Sequence, residues 1–182
     1  RVASAGTPAA AFERLRAAVR STDPTIVPEH RLLYLRTGGV RRGAVAQIGR
    51  ASGAREGADL TIVASMLMLQ RSLLAAEMLE ESEGISVEVI DPRWIRPLDL
   101  DTITTAVERT GRLVVVEEQP HEGGWGATLI SRLTMAGTSM SARPRCVSLL
   151  DDMLVPFAAP LEDAVMPSVE RIADEVRASL MS

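Results

Sequence analysis

Short apolar runs alternate with stretches of helical periodicity from residue 60 to the end of the chain. The runs at 60–65, 85–90, 113–116 and 145–150 predict strands, since each is largely apolar and rich in β-branched residues. Between and after them, apolar residues recur at the spacing of one helix face. Strands separated by helices predict an α/β fold with a mostly parallel sheet, helices on both faces and right-handed crossovers.

The first part of the chain has a different pattern. Thr7 and Pro8 predict the start of a helix, because a hydroxyl cap followed by proline is typical of a helix N-terminus. Apolar side chains at helical spacing predict its buried face: Ala11, Phe12, Leu15, Ala18 and Val19. The arginines of this helix fall mostly off that face and are predicted to be solvated: Arg14, Arg16 and Arg20. A short strand is predicted at 25–27, after which the periodicity is lost.

Glycines and arginines dominate residues 34–57, where little periodicity is left. This composition predicts a linker, with one short strand around 44–48, and a candidate domain boundary. We therefore predict a first domain at 1–50, a linker at 51–57 and a second domain at 58–182. Because Val2 and Ala3 resemble the end of a strand, we also expect the chain to be a fragment or to lack its first part.

The third strand of the second domain ends in a polar corner, at the edge where parallel α/β sheets place their functional sites. Glu117, Glu118, His121 and Glu122 follow its valines and resemble acid–base groups. No second histidine is near in sequence, which weakens a metal site here. The pattern favours a cleft-lining or interface role over direct catalysis, and His121 and Glu122 are predicted to lie nearest an active-site entrance.

Glycines at 123, 124 and 126 flank Trp125 just before a helix. Such glycines expose amides that can bind an anion, or they form a tight turn. The spacing is not that of a dinucleotide fingerprint, and the bulk of Trp125 would obstruct a diphosphate, so the turn is favoured.

A second loop on the same sheet edge carries Arg93, Trp94 and Arg96. Arginine and tryptophan are frequent anchors of protein interfaces. We predict that these three residues and Trp125 contact another subunit. The alternative is a surface loop with one ring packed inward.

Composition excludes several classes of function. A net charge of −4 and an aromatic content of 3% disfavour nucleic-acid binding. The single cysteine, Cys146, allows no disulfide framework and is predicted to be a small buried hydrophobic residue. No apolar run approaches the ~20 residues that a membrane span needs. A soluble, cytoplasmic protein without a membrane partner is expected.

Four segments resemble, in order, the β subunits of 2-oxoacid dehydrogenase complexes. Residues 90–99, IDPRWIRPLD, are similar to the "VIDLRTLxPLD" segment of that family. Residues 117–127, EEQPHEGGWGA, are similar to "HEAPxxGGFGAE", and VPFA with LED at 155–163 resembles "PxPFAPPLED". EHRLLY at 29–34 matches the end of a further family segment, which begins near Thr7. Since these motifs are colinear, the resemblance covers nearly the whole chain.

The resemblance implies a thiamine-diphosphate enzyme of the transketolase-like superfamily of the pyruvate or branched-chain type. Residues 1–50 would be the last part of the pyrimidine-binding domain, and 58–182 the transketolase C-terminal domain. An α subunit, in a heterotetramer of two α and two β subunits, would hold the diphosphate and Mg²⁺. The complex would pass the acyl group to a lipoyl acyltransferase core. The glutamate that activates the cofactor would lie upstream of this segment, which implies no catalytic residue here and a mainly structural role in β–β′ and α–β contacts.

The resemblance also implies a potassium site at the end of the first helix. Main-chain carbonyls would bind the ion at Ala18, Val19, Ser21 and Asp23, where Ser21 replaces the usual aspartate. From the residues alone, the same segment is a helix C-terminus whose free carbonyls contact water.

Two other hypotheses stay open at this point. The chain is a non-catalytic interaction module, or it is the C-terminal domain of a transketolase or a deoxyxylulose-phosphate synthase. The EHRLLY and PFAAPLEDAVMPS segments fit the β-subunit family better.

Overall fold

The structure, a computed structural model, describes residues 1–150 and 153–182. Its strands are β1 (Val2–Ala3), β2 (Ser52–Arg55), β3 (Leu60–Ala64), β4 (Val87–Asp91), β5 (Trp94–Arg96), β6 (Leu113–Pro120) and β7 (Arg145–Leu149). Its helices are α1 (Pro8–Arg20), α2 (Met66–Glu83), α3 (Leu100–Thr110), α4 (Trp125–Met135), α5 (Ala159–Val165) and α6 (Val169–Leu180). A turn of 3₁₀ helix spans Arg31–Leu33.

Five strands form the main sheet in the order β2-β4-β3-β6-β7. β3 pairs in parallel with β4 and β6, and β6 pairs in parallel with β7. β2 is antiparallel to β4 at one edge, and β1 pairs separately with β5. The predicted mostly parallel α/β sheet is confirmed.

Helices cover both faces of this sheet, as predicted. α2 and α6 pack on one face, against Ile62, Val89 and Val114. α3 and α4 pack on the other face, against Val63 and Val115. β3 and the first residues of β6 are therefore buried on both sides, which explains why they are continuous apolar runs.

Local signals set the ends of several helices where the sequence places them. The Thr7 hydroxyl accepts a hydrogen bond from the Ala10 amide and caps α1. The Asp99 carboxylate accepts one from the Thr102 amide at 3.2 Å and caps α3. Gly111 ends that helix in the left-handed conformation, at φ 73°.

The secondary structure of residues 34–57 differs from the prediction. Residues 34–51 contain no helix or strand, so the short strand predicted around 44–48 is absent, and β2 forms within the predicted linker instead. Ile26 makes only an isolated bridge to Val2. These segments are short, so neighbouring strands rather than local propensity determine where pairing occurs.

The buried face of α1 is not the predicted one. Leu15 is 56% exposed and Val19 is 80% exposed, whereas Ala10, Arg14 and Ala17 are buried. The reason is tertiary: α1 turns its small residues toward Trp94, which packs with Ala17 in a separate cluster. The apolar stripe is left facing outward.

Arg14 makes a buried ion pair instead of contacting solvent. Its side chain is 1% exposed, and Nη2 donates to Asp91 Oδ2 at 2.7 Å. Burial lowers the pKa of Arg14, and the attraction of Asp91 opposes that shift. The second oxygen, Asp91 Oδ1, accepts a hydrogen bond from the Arg93 amide at 2.8 Å. One carboxylate thus joins α1 to the end of β4.

We predict that Asp91→Ala lowers the free energy of unfolding by about 3–5 kcal/mol, because it leaves the Arg14 guanidinium buried and unpaired. Urea unfolding followed by circular dichroism measures the loss. Asp174→Ala is the matched control, since Asp174 pairs with Arg177 in an exposed contact between neighbouring helical turns. A loss no larger than that of the control would show that the buried pair does not stabilise the fold.

Candidate functional site

Glu117 lies in the carboxyl-terminal half of β6, directly after the buried valines, and its carboxylate points inward. The residue is 1% exposed. Its Oε2 accepts a hydrogen bond from the Gly126 amide at 3.0 Å, and the Cys146 thiol donates to Oε1 at 3.5 Å. The carboxylate therefore occupies the N-terminus of α4, where the helix dipole and free amides favour an anion.

The glycines of the corner leave room for this carboxylate. A Cβ atom on Gly124 would lie 2.4 Å from Glu117 Oε1, and one on Gly126 would lie 2.7 Å from the same atom. Gly123 adopts φ +78° and makes the turn. The favoured interpretation of the glycine cluster, a tight turn, is confirmed, and the helix N-terminus behind it binds an anion that belongs to the chain itself.

Burial raises the pKa of Glu117, while the hydrogen bonds from Gly126 and Cys146 oppose the shift. Burial and the neighbouring Glu117 carboxylate raise the pKa of the Cys146 thiol to about 12. Cys146 is only partly buried and hydrogen-bonded, so it is more than the small hydrophobic residue predicted. At neutral pH it is a thiol rather than a reactive thiolate.

The next residue, Glu118, points to the opposite face and meets a histidine distant in sequence. His30 Nε2 and Glu118 Oε1 are 3.0 Å apart. His30 Nδ1 accepts a hydrogen bond from the Leu32 amide at 3.2 Å, so the proton is assigned to Nε2, which donates to Glu118. Both ring nitrogens are engaged, and His30 acts as a contact between the two parts of the chain. Nothing local in the sequence pairs these residues.

His121 and Glu122 lie on the exposed turn between β6 and α4. The structure therefore separates the four candidate acid–base residues. Glu117 is internal, Glu118 is paired with His30, and His121 and Glu122 face outward. The role of His121 and Glu122 at an active-site entrance stays a prediction.

The structure corrects the prediction for one of the interface residues on the segment after β4. Trp94 is 0% exposed and packs with Ala3, Ala17 and Ala46, so it cannot contact another subunit. This matches the alternative of a ring packed inward. Arg93 is partly buried and takes φ +60°, while Arg96 is exposed.

Arg96 and Trp125 line one groove at the sheet edge, although they come from different loops. The groove has a volume of about 540 Å³. We call it the edge groove, and its lining includes Ile95, Arg96, Pro97, Leu98, Trp125 and Arg132. An interface role for Arg93, Arg96 and Trp125 stays a prediction.

A second cavity, of about 410 Å³, lies between α1 and the 3₁₀ turn. We call it the apolar cleft, and it is lined by Phe12, Leu15, Leu33 and Tyr34 among others. Glu29 and His30 stand at its polar side, and the Tyr34 hydroxyl donates to Glu29 at 2.9 Å.

The residues of the predicted potassium site do lie together after α1, at a corner that already carries a cation. The Ala18 carbonyl accepts a hydrogen bond from the Ser21 amide, and the Asp23 carbonyl accepts one from the Ser21 hydroxyl. The Arg1 guanidinium pairs with the Asp23 carboxylate at 2.6 Å and contacts the Ser21 hydroxyl. The positive charge of Arg1 does not favour a second cation there.

No group of three or more His, Cys, Asp or Glu side chains could hold a metal ion in residues 1–150 and 153–182. Within the same ranges, no helix is long and apolar enough to cross a membrane.

Comparison with known proteins identifies the family. The transketolase C-terminal domain family matches residues 49–172. The chain belongs to this family. The pyruvate dehydrogenase E1 component subunit beta of Staphylococcus epidermidis and that of Staphylococcus aureus are each 35% identical to it over 168 residues. These alignments cover 91% of this chain and 51% of each relative, so the chain spans about half the length of the relatives it matches.

A solved structure of a split gene transketolase, an inactive beta4 tetramer, has the same fold as this transketolase C-terminal domain chain. The TM-score is 0.80 at 22% sequence identity, covering 99% of this chain and 57% of that one. At this identity the likeness concerns the fold alone.

We predict that Gly124→Ala lowers the free energy of unfolding of this transketolase C-terminal domain chain by about 1–3 kcal/mol, because its Cβ would overlap the Glu117 carboxylate. Gly39→Ala is the control, since nothing lies within 4 Å of its Cβ. Chemical unfolding of both variants gives the comparison. The loss should shrink in a Glu117→Ala background. An equal loss in both backgrounds would contradict the steric argument.

We also predict a pH effect of Glu117 on stability. Its folded-state pKa is raised, so the folded protein holds this proton more tightly, and stability falls as pH rises from the unfolded pKa through the folded one. Glu117→Gln has no such proton, so its stability relative to wild type should increase over that range. Urea unfolding between about pH 4 and pH 8 tests this. Glu56→Gln, an exposed substitution, should show no trend.

Proposed function

We propose that the chain is the carboxyl-terminal part of the β subunit of a 2-oxoacid dehydrogenase component. The observation that carries the proposal is the 35% identity to pyruvate dehydrogenase β subunits over 91% of the chain. The whole component would decarboxylate a 2-oxoacid oxidatively and transfer the acyl group to a lipoyl group. Its partners would be an α subunit, a second β subunit and a lipoyl acyltransferase core.

In this proposal the chain supplies structure rather than reacting groups. Glu117 is held inside by helix amides, and His30 has both ring nitrogens engaged. Neither residue is arranged as a general base toward a substrate. His121 and Glu122 on the exposed turn are the residues proposed to line the entrance to an active site formed with the α subunit.

The cofactor of the proposed component is thiamine diphosphate with Mg²⁺. That cofactor would supply the chemistry of decarboxylation. The described residues do not fit such a site, because they offer no cluster of carboxylates for Mg²⁺. The cofactor is therefore assigned to the α subunit and to the amino-terminal portion that the relatives possess.

Two finer points also belong to the proposal. A potassium ion at Ala18, Val19, Ser21 and Asp23 is supported by their position at a helix end and opposed by the Arg1 contacts. A cytoplasmic location is an expectation from the sequence pattern.

A reconstitution assay tests the function. The chain, joined to the amino-terminal portion of a related β subunit, is mixed with an α subunit, thiamine diphosphate, Mg²⁺ and a lipoyl domain. We expect reductive acylation that depends on a 2-oxoacid, and none from the chain alone. Pyruvate and branched-chain 2-oxoacids are compared as substrates.

The controls for this assay use the same proteins. The α subunit alone and the amino-terminal portion alone should be inactive. A folded, assembled complex without activity toward any of these 2-oxoacids would favour the non-catalytic interaction module and contradict the proposal.

A further inference from the structure

Residues 153–165, between β7 and α6, form a segment that we call the arm. Leu154 is 90% exposed, Phe157 is fully exposed and Leu161 is more than half exposed. The arm includes α5, which has seven residues and no buried one. A helix this short is not stable in water by its own hydrogen bonds. An apolar segment of this kind indicates a surface that is covered by another molecule.

The edge groove is a concave surface that combines apolar side chains with positive charge. Its lining combines the apolar side chains of Ile95, Leu98 and Trp125 with the guanidinium groups of Arg96 and Arg132. No acidic side chain is among the lining residues of the groove in the described part of the chain. Trp125 is only partly buried. The groove therefore suits an apolar side chain that is followed by negative charge.

The arm carries apolar side chains that are followed by negative charge. Phe157 and Leu161 supply apolar side chains, and Glu162 and Asp163 follow directly. The apolar cleft is a poorer match because its lining holds Glu29 as well as Arg36, so the repulsion of one offsets the attraction of the other, whereas the edge groove has two arginines and no acid among the described residues of its lining. Charge complementarity thus selects the edge groove over the second cavity.

We propose that two copies of this chain exchange arms, each placing Phe157 and Leu161 in the edge groove of the other. Glu162 and Asp163 of one copy then pair with Arg96 and Arg132 of its partner. Two arms and two grooves related by a two-fold axis close the assembly, so the contact forms a dimer and no open fibre. This contact gives a specific form to the β–β′ interface and in that respect rests on the proposed function.

Charge reversal in the 182-residue chain tests the exchange by sedimentation velocity. The wild-type chain is expected to dimerise. The groove variant R96E/R132E and the arm variant E162R/D163R should each dissociate at least about ten-fold more readily, because like charges then meet at both contacts. An equimolar mixture of the two variants should recover dimers, since each reversed arm then faces an oppositely charged groove.

Matched control variants distinguish the loss of this contact from general effects of a substitution on charge or folding. R143E changes an exposed arginine outside the groove and should dimerise as wild type does. F157S removes the apolar anchor and should weaken both the wild-type dimer and the mixed dimer. Circular dichroism shows that each variant is folded.

Three outcomes would overturn the exchange: a monomeric wild-type chain, reversed variants that dimerise like wild type, or a mixture that stays monomeric. Because self-association is measured without the α subunit, it is independent of the reconstitution assay. Lost dimerisation with intact activity overturns the arm exchange alone. Intact dimerisation with no activity overturns the proposed function alone.

Discussion

The carboxylate of Asp91 is the contact on which the arrangement of the whole chain depends. It accepts from Arg14 Nη2 and from the Arg93 amide, so one group at the end of β4 joins α1 to the sheet and sets the course of the next loop. Trp94 packs at this junction with Ala17 of α1. If the carboxylate were absent, a buried guanidinium would lack its counter-charge, which is far less favourable than a solvated one. The placement of Arg96 beside Trp125 follows from this junction.

A second buried carboxylate has a similar structural role in β6. β4 and β6 are the two neighbours of the central strand β3, and each carries in its carboxyl-terminal half an acid that the fold satisfies internally. Asp91 meets a guanidinium, whereas Glu117 meets the amides of α4 and the Cys146 thiol. Because burial outweighs the hydrogen bonds from the amides and the thiol, the pKa of Glu117 is raised. Groups that resemble catalytic acids in the sequence thus serve to hold loops in place.

These contacts leave the functional character of the chain to its surfaces. The exposed stripe of α1, the edge groove and the arm carry apolar side chains that the described part of the chain does not cover. The proposed role within an assembly would account for both the internal acids and the external apolar surfaces.

The sheet and its helices were predictable from the sequence, because a strand buried on both faces must be apolar throughout and a helix between two strands shows its period locally. The start of α1 at Thr7 was predictable as well, since a capping contact spans only a few residues. Which polar groups meet depends on the tertiary structure. Arg14 and Asp91 are 77 residues apart, and His30 and Glu118 are 88 residues apart. Pairings over such distances leave no periodic trace, so Arg14 was predicted to be solvated and the apolar stripe of α1 to be buried. The packing of α1 against Trp94 made both predictions wrong. The junction between α1 and the sheet requires small residues and a charged partner for Asp91, and these lie on the helix face that the sequence pattern assigned to solvent.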